Sequence, residues 1–428
     1  MATATITPIG PTPRCTAHRD PPRSPPGGNG VPTSAVLTNH EPAAGAPPSS
    51  SPAQRATVVA LAIALLAAAY AGFRVPNAWC ATLDAVSLFD GFHHRFAVGT
   101  LLRPLAVASH YNYWLFAAFG FAVLAGVLAV LVSVAVRTPL VARRVLVIAW
   151  LLLPSGGFVF HEVGYFEQLL YLLLFAALWL LARGRVACAS AVLCLAPCVH
   201  ELAAVSVLPV FGLAVLHALP IRRAIGALVA PALVGLCILA LPPAGPGAVA
   251  QLSAALAQAN FPYRPDALAL FERSLPQSWA EYSVQNIFII VRPVAILLVG
   301  AFLALWRCAA PVWPHRPGHA PAPLLVAASC VAIAAPALLV LGGYDSNRWI
   351  FLICANFFLA VWLALGDRPR PLGGAAVIAF ATTLLVLSQL PIDYFDELHP
   401  RHLGSRADRK ALIHGVATGA LFARPARW

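Results

Sequence analysis

Four groups of ionisable side chains stand out in a chain otherwise poor in them. Asp90, His93, Arg95 and Arg103 lie in SLFDGFHHRFAVGTLLRPLA, and His161, Glu162 and Glu167 in HEVGYFEQ. His200 and Glu201 follow Pro197, and Asp345 and Arg348 lie in GGYDSNRW. Arg292, followed by Pro293, stands inside an apolar run. A positioned carboxylate or imidazole that takes a proton from an attacking hydroxyl is worth about 10²–10⁴-fold in rate. A guanidinium grips a phosphate in bidentate fashion while charge develops on it. Asp90 is the first candidate base, Glu162 the second, and Glu201 completes the catalytic set. Arg95, Arg103, Arg292 and Arg348 are phosphate candidates, and His93, His161, Glu167, His200 and Asp345 are candidates for substrate contact.

Each group also has a structural reading. Asp90 and Glu162 could cap helices, and Glu162 could pair with His161. His200 and Glu201 could form a buried pair. Asp345 and Arg348, three residues apart, could be an ion pair at a helix start. Arg292 could snorkel to a membrane surface or hold a lipid phosphate. His93 and His94 read as interfacial residues. No spacing in the chain specifies a metal site, so no metal ligands are assigned, although a divalent metal remains open as a cofactor.

The elements that must position these residues are membrane helices. Sixty per cent of the 428 residues are hydrophobic and 10% are charged, against about 25% charged in soluble domains. Apolar runs long enough to cross a bilayer recur through most of the chain. The net charge of +12 is spread over turns and tails without a basic, aromatic-interleaved stripe, which excludes nucleic acid as a partner. The nine cysteines form no CxxC pair and read as small hydrophobes.

Residues 1–54, rich in Pro, Gly, Ser, Thr and Ala, predict a disordered tail. Residues 55–390 form a transmembrane domain with long outer loops at 74–112 and 243–285, and 391–428 form a C-terminal tail. The runs predict an all-α polytopic fold of about eleven spans, near 56–73, 113–136, 145–160, 167–182, 186–199, 202–219, 225–242, 286–306, 322–342, 349–365 and 372–390. Arginines at 55, 137, 143, 144, 183, 185, 222, 223, 307, 316, 368 and 370 mark one set of turns as cytoplasmic, together with the N-terminus. Thirteen of the sixteen carboxylates then fall on the opposite face. The C-terminal tail does not fit the rule: it is basic, yet eleven spans put it outside.

In the first loop, Phe89, Phe92 and Phe96 recur at helical spacing and predict a short interfacial helix, with Asp90 and Arg95 at its water edge. In the second, Tyr263, Arg264, Asp266, Glu272, Arg273, Trp279, Glu281 and Tyr282 suit either an aromatic belt or a carbohydrate surface. A helix over 186–199 rises only about 21 Å against a hydrocarbon core of about 30 Å. His200 and Glu201 are therefore predicted at a helix break below the outer interface, facing protein or a water-filled cavity.

This layout resembles the GT-C glycosyltransferase superfamily. The matching features are a first span, Asp84 and Asp90 in a long first outer loop, Glu162 and Glu167 in the second, and FEQLLYLLLFAALWLLARGR behind them, over about residues 60–220. The resemblance implies sugar transfer from a polyprenyl-phosphate donor on the extracytoplasmic face, with a loop carboxylate as base. The chain is also somewhat similar to Wzy-type polysaccharide polymerases, which Asp345 and Arg348 would suit. The expectation is an enzyme of cell-envelope glycan synthesis in a bacterial inner membrane, with a lipid-linked sugar and membrane lipids as partners and an open oligomeric state. The rival is a transporter or lipid flippase. Such proteins tend to carry internal repeats and midplane charges, and neither pattern stands out in the chain.

Overall fold

The computed structural model describes residues 52–138, 140–273, 277, 318–341, 345–365, 374–389 and 399–423. The tail expected over 1–54 falls almost wholly outside these residues. So do the span expected over 286–306, Arg292, and most of the second loop beyond Arg273. All regular structure among the described residues is helical.

The chain opens with α1 (Pro52–Gly72), then folds the first loop into α2 (Ala78–Asp84), a 3-10 turn (Leu88–Asp90) and α3 (Phe96–Ala108). α4 (Tyr113–Arg137), α5 (Val141–Leu152), α6 (Pro154–His161), α7 (Phe166–Ala182) and α8 (Val186–Val199) follow. A 3-10 turn (Glu201–Ala204) leads into α9 (Val207–Ala218) and α10 (Ile221–Ala240). α11 (Pro246–Leu256) and α12 (Pro265–Ala269) fold the described part of the second loop, and α13 (Ala322–Ala334), α14 (Ser346–Leu365), α15 (Gly374–Ser388) and α16 (Arg406–Ala417) complete the order.

Among the described residues, six helical stretches are long and apolar enough to cross a bilayer: Gln54–Gly72, Tyr113–Arg137, Glu201–Ala218, Ile221–Ala240, Ala322–Val340 and Ser346–Leu365. The bent pair α5–α6 makes a seventh if it counts as one span. Fewer stretches among the described residues meet that length than the eleven expected of the whole chain, for local reasons. The run expected as one helix over 145–160 breaks at Leu153 and turns by 69°, because Pro154 lacks an N–H and holds the preceding residue extended. α7 and α8, of 17 and 14 residues, rise only about 26 and 21 Å. They pack chiefly on each other and, for α8, on α10. The described part of α15 has 15 residues, short of the roughly 20 that a full span needs.

The first loop also differs from expectation. Asp90 does not cap a helix; Ser87 does, its Oγ accepting from the Phe89 N–H at 3.1 Å. Gly91 then stops the turn in the left-handed region (φ 87°), where glycine carries no Cβ penalty. The next helix begins only at Phe96. Phe89 is therefore exposed and Phe92 wholly buried, and the three phenylalanines share no helix face. The loop folds closely on itself at Gly99, where a Cβ would meet the Val86 carbonyl oxygen at 2.0 Å.

Short turns reverse the chain between successive helices and sort their ends. At one end, Arg143 lies over Trp362 (4.7 Å) and the Ile221 N–H donates to the Gly318 carbonyl (2.9 Å). At the other, Tyr113 Oη donates to the Pro76 carbonyl (2.5 Å) and His94 Nε2 meets the Leu241 carbonyl (3.2 Å). Every described carboxylate lies at this second end. The C-terminal segment docks there too: the Arg401 backbone N–H donates to the Ala71 carbonyl (3.0 Å), and its guanidinium to the carbonyls of Tyr70 (3.1 Å) and Phe73 (3.0 Å). The tail that defied the charge rule therefore sits on the acidic end, satisfying carbonyls that the end of α1 leaves open.

Two polar residues fasten the bundle. Asn356, buried inside α14, donates to the carbonyls of Ser206 (2.8 Å) and Ala332 (2.7 Å) and accepts from Tyr171 Oη (2.9 Å), joining α7, α13 and the start of α9. At the arginine-rich end the buried Arg144 donates to the carbonyls of Ala135 (2.8 Å), Val136 (3.2 Å) and Thr138 (2.9 Å), to that of Gln54 (3.2 Å), and to Thr57 Oγ1 (2.9 Å). A cation among the last carbonyls of α4 complements that helix end. Arg144→Ala should lower unfolding stability by about 3 kcal/mol, because it orphans several buried carbonyls. Arg137→Ala, at an exposed neighbour, should change it by no more than about 0.5 kcal/mol; thermal unfolding in detergent compares the two.

Candidate functional site

Among the described residues, the acidic end carries three ionic clusters besides a local Arg264–Asp266 pair. The most enclosed is centred on Arg348, in the first turn of α14. Its Nη2 donates to Glu167 Oε1, its Nε lies 3.5 Å from Glu162 Oε2, and its Nη1 lies 3.4 Å from Asp345 Oδ2. Asp345 also caps α14, its Oδ1 accepting from the Arg348 backbone N–H at 3.3 Å. The i,i+3 pair expected here thus exists, but as one side of a larger assembly. Glu162 follows the last residue of α6 and Glu167 stands in the first turn of α7, so the 162–165 turn brings both carboxylates onto one guanidinium. The ring of Tyr165 covers that guanidinium at 4.6 Å. Asn77 Nδ2 donates to Tyr165 Oη (3.1 Å), and its Oδ1 accepts from the Cys80 N–H (2.9 Å), which starts α2. His161 is buried beside Phe158.

The second cluster joins Arg95 to Glu201. Arg95 Nε donates to Oε1 (2.9 Å) and Oε2 (3.1 Å), and Nη2 also donates to Oε1. His200 Nδ1 lies 3.2 Å from Glu201 Oε2 and accepts from the Leu202 N–H (3.1 Å). The predicted break after Val199 is present, with His200 extended (φ −162°, ψ 136°). Arg95 itself holds a left-handed backbone (φ 55°), uncommon for a residue with a Cβ, and its guanidinium lies over Phe271 of the second loop (5.6 Å). The ring of His200 meets Phe166 edge-on (5.6 Å), so the second cluster abuts the residue beside Glu167.

The third cluster lies apart. Asp90 accepts from Arg103 Nη2 (2.8 Å) and Nε (3.4 Å), and Arg103 lies over Phe89 (5.5 Å). Asp90 and Arg95, expected together at a water edge, thus go to different partners. His93 is half-buried. The structure therefore gathers Glu162, Glu167, Asp345 and Arg348, with Arg95, His200 and Glu201 alongside, while the buried His161 lies beside Phe158. It leaves Asp90 and Arg103 as a separate pair, and Arg292 lies outside the described residues. In the second loop, Arg264 donates to both oxygens of Asp266 (2.9 and 2.8 Å), which holds that carboxyl below its usual range.

One residue is set apart from these pairs. Asp84, at the end of α2, is 1% exposed, and its Oδ1 has no hydrogen-bond partner. It lines a small crevice with Phe119, Gly120, Val123, Gly164, Tyr165, Phe166 and Leu169. Pro76, just before α2, and Cys80 within it pack against the 162–166 turn at Gly164, whose left-handed backbone (φ 92°) favours glycine and where a Cβ would press on both at 3.0 and 3.2 Å. Burial pushes the Asp84 carboxyl well above its ordinary range. Nothing in its spacing distinguished it from Asp90 in the sequence. Among the described residues, no group of three or more His, Cys, Asp or Glu is placed to hold a metal ion.

No protein-family model, curated protein or solved structure matches this chain. The geometry therefore carries the functional argument alone.

Two outcomes test the site's energetics. Arg348→Met should cost about 3–5 kcal/mol by leaving buried carboxylates without their cation, while Asp345→Ala should cost less, since Asp345 is one of three partners. Because the Asp84 carboxyl has a higher pKa folded than unfolded, its contribution favours folding below the unfolded pKa of about 3.9. That contribution is lost as pH rises through the folded pKa. Asp84→Asn should therefore raise the unfolding midpoint at neutral pH, with the gain vanishing toward pH 4; a thermal unfolding series against pH reads both.

Proposed function

We propose that this multi-pass membrane protein is a glycosyltransferase that moves a sugar from a polyprenyl-phosphate donor to an acceptor hydroxyl in cell-envelope glycan synthesis. The reaction would take place at the acidic end of the bundle. The observation that carries this reading is Asp84. A buried carboxyl oxygen without a hydrogen-bond partner costs stability, and such atoms cluster where a substrate is to supply the missing partner. Burial raises the proton affinity of this carboxyl, so that once ionised it is a stronger base toward an attacking hydroxyl than an exposed carboxylate. On this reading Asp84 acts as base in place of Asp90, whose carboxylate Arg103 already holds.

The neighbouring clusters supply the rest. Arg103, the most solvent-accessible of the paired cations at this end with Arg264, is the group that can turn from Asp90 to a lipid phosphate. Glu162, Glu167, Arg348, His200, Glu201 and Arg95 fix the loops around the crevice. The arginine-rich end faces the cytoplasm in this proposal, as the positive-inside rule favours. That places the acidic end outside the inner membrane and the C-terminal segment with it. About eleven spans in the full chain would fit this arrangement if the short helices and the undescribed residues complete the count.

Two alternatives remain. A Wzy-like polymerase would use the same kind of donor. A proton-coupled transporter or flippase is favoured by Asp84 in a different way, since buried ionisable groups also mark proton paths. The assay is sugar transfer by purified protein in vesicles containing polyprenyl-phosphate sugars. Asp84→Asn should lower turnover by about 10²–10⁴-fold, with smaller losses for Asp90→Ala, and with Glu162→Ala and Glu201→Ala losing activity through misplaced loops. Full turnover by Asp84→Asn would remove the base, and movement of substrate without a covalent product would make the protein a carrier.

A further inference from the structure

The C-terminal segment is exposed along a face that no described part of the protein covers. α16 turns Asp408, Leu412 and Gly415 partly inward, with Asp408 Oδ2 accepting from the His402 N–H (2.8 Å) and its own N–H donating to the Ser405 cap (3.2 Å). Its other side exposes Arg406, Arg409 and Lys410 in the first turns, then Ile413 (68%) and Val416 (53%). At 100° per residue these five positions fall within about a third of the helix circumference. Leu403 before the helix and Phe422 after it are exposed as well.

Where this segment lies is fixed by α1. The exposed stripe of that span is Val59, Ile63 and Leu66, at i, i+4 and i+7, and in a membrane-crossing helix such a stripe faces lipid. One turn on is Tyr70, whose hydroxyl donates to the His402 carbonyl (3.4 Å), and beyond it Phe73, whose ring meets Phe422 (6.3 Å). The C-terminal segment is thus attached at the end of the lipid-facing side of α1, where the span leaves the hydrocarbon core. A helix there that mixes cations and exposed aliphatic side chains matches the chemistry of a headgroup layer: phosphates for the arginines and lysine, acyl boundary for Ile413 and Val416.

We propose that Arg406–Ala417 is a membrane-surface helix that binds anionic phospholipid headgroups at the acidic end of the bundle. This does not depend on what reaction the protein performs. The test is hydrogen–deuterium exchange of the full chain in nanodiscs of phosphatidylcholine alone and of phosphatidylcholine with phosphatidylglycerol. Amides of 406–417 should exchange at least about tenfold more slowly in the anionic discs, given the attraction expected of each basic residue near a charged surface. Arg406→Gln, Arg409→Gln and Lys410→Gln together should abolish the difference between the two lipids, and Ile413→Ser with Val416→Ser should speed exchange in both. Unchanged exchange elsewhere in the chain confirms that the variants are folded. Equal exchange of 406–417 in the two lipids would overturn the proposal, as would a lipid difference that survives the triple substitution.

Discussion

Arg348 is the constraint on which the acidic end depends. A guanidinium and the carboxylates of Glu162, Glu167 and Asp345 are withdrawn from water together, and each ion so enclosed costs several kcal/mol unless the others compensate it. Three carboxylates from two separate stretches of chain must therefore hold station on one cation, and the elements that carry them are fixed in consequence. α6 has to end where α7 begins, with only the 162–165 turn between them, and α14 has to start against that turn. Tyr165 closes over the guanidinium, and Asn77 ties Tyr165 to the start of α2. Through Cys80 and Gly164 the same turn sets the position of Asp84.

The other ionic clusters extend this logic rather than repeat it. Arg95 and Glu201 fasten the first loop to the break after α8, with a backbone strained at Arg95 and a ring of the second loop laid over it. Asp90 and Arg103 fasten the 3-10 turn to α3 within the first loop. The two pairs do unlike work: one joins distant elements and the other stabilises a local fold. At the opposite end Arg144 does for the carbonyls of α4 what Arg401 does for those of α1, so each end of the bundle closes helix termini with an arginine. The midpoint is held by Asn356, where a side-chain amide joins helices without introducing charge.

Much of this was readable before the fold was known. The acids sort to one end because short basic turns alternate with acidic ones, and helices reverse direction between them. The break at His200 follows from Pro197 and from a run too short to cross. What could not be read is pairing over distance. Nothing near Arg348 in the chain, except Asp345, announces Glu162 and Glu167, and the burial of Asp84 arises only when α2 lies beneath α4 and α7. Other differences arise where a local signal has two physical meanings. Asp90–Gly91 resembles the start of a helix, but the glycine ends a turn, and Pro154 inside an apolar run breaks the helix that hydropathy alone would draw. Asn356 stood in plain view within an apolar stretch; a lone amide at that depth has to find partners.

The claim that one buried arginine organises the acidic end is tested most directly by a double-mutant cycle between Arg348→Met and Glu167→Gln, read as unfolding free energy in bicelles. If the account is right, the two substitutions together cost less than the sum of their separate effects, with a coupling of about 2 kcal/mol or more. Additivity within about 0.5 kcal/mol would mean that the two side chains do not depend on each other, and the account of the acidic end would fail.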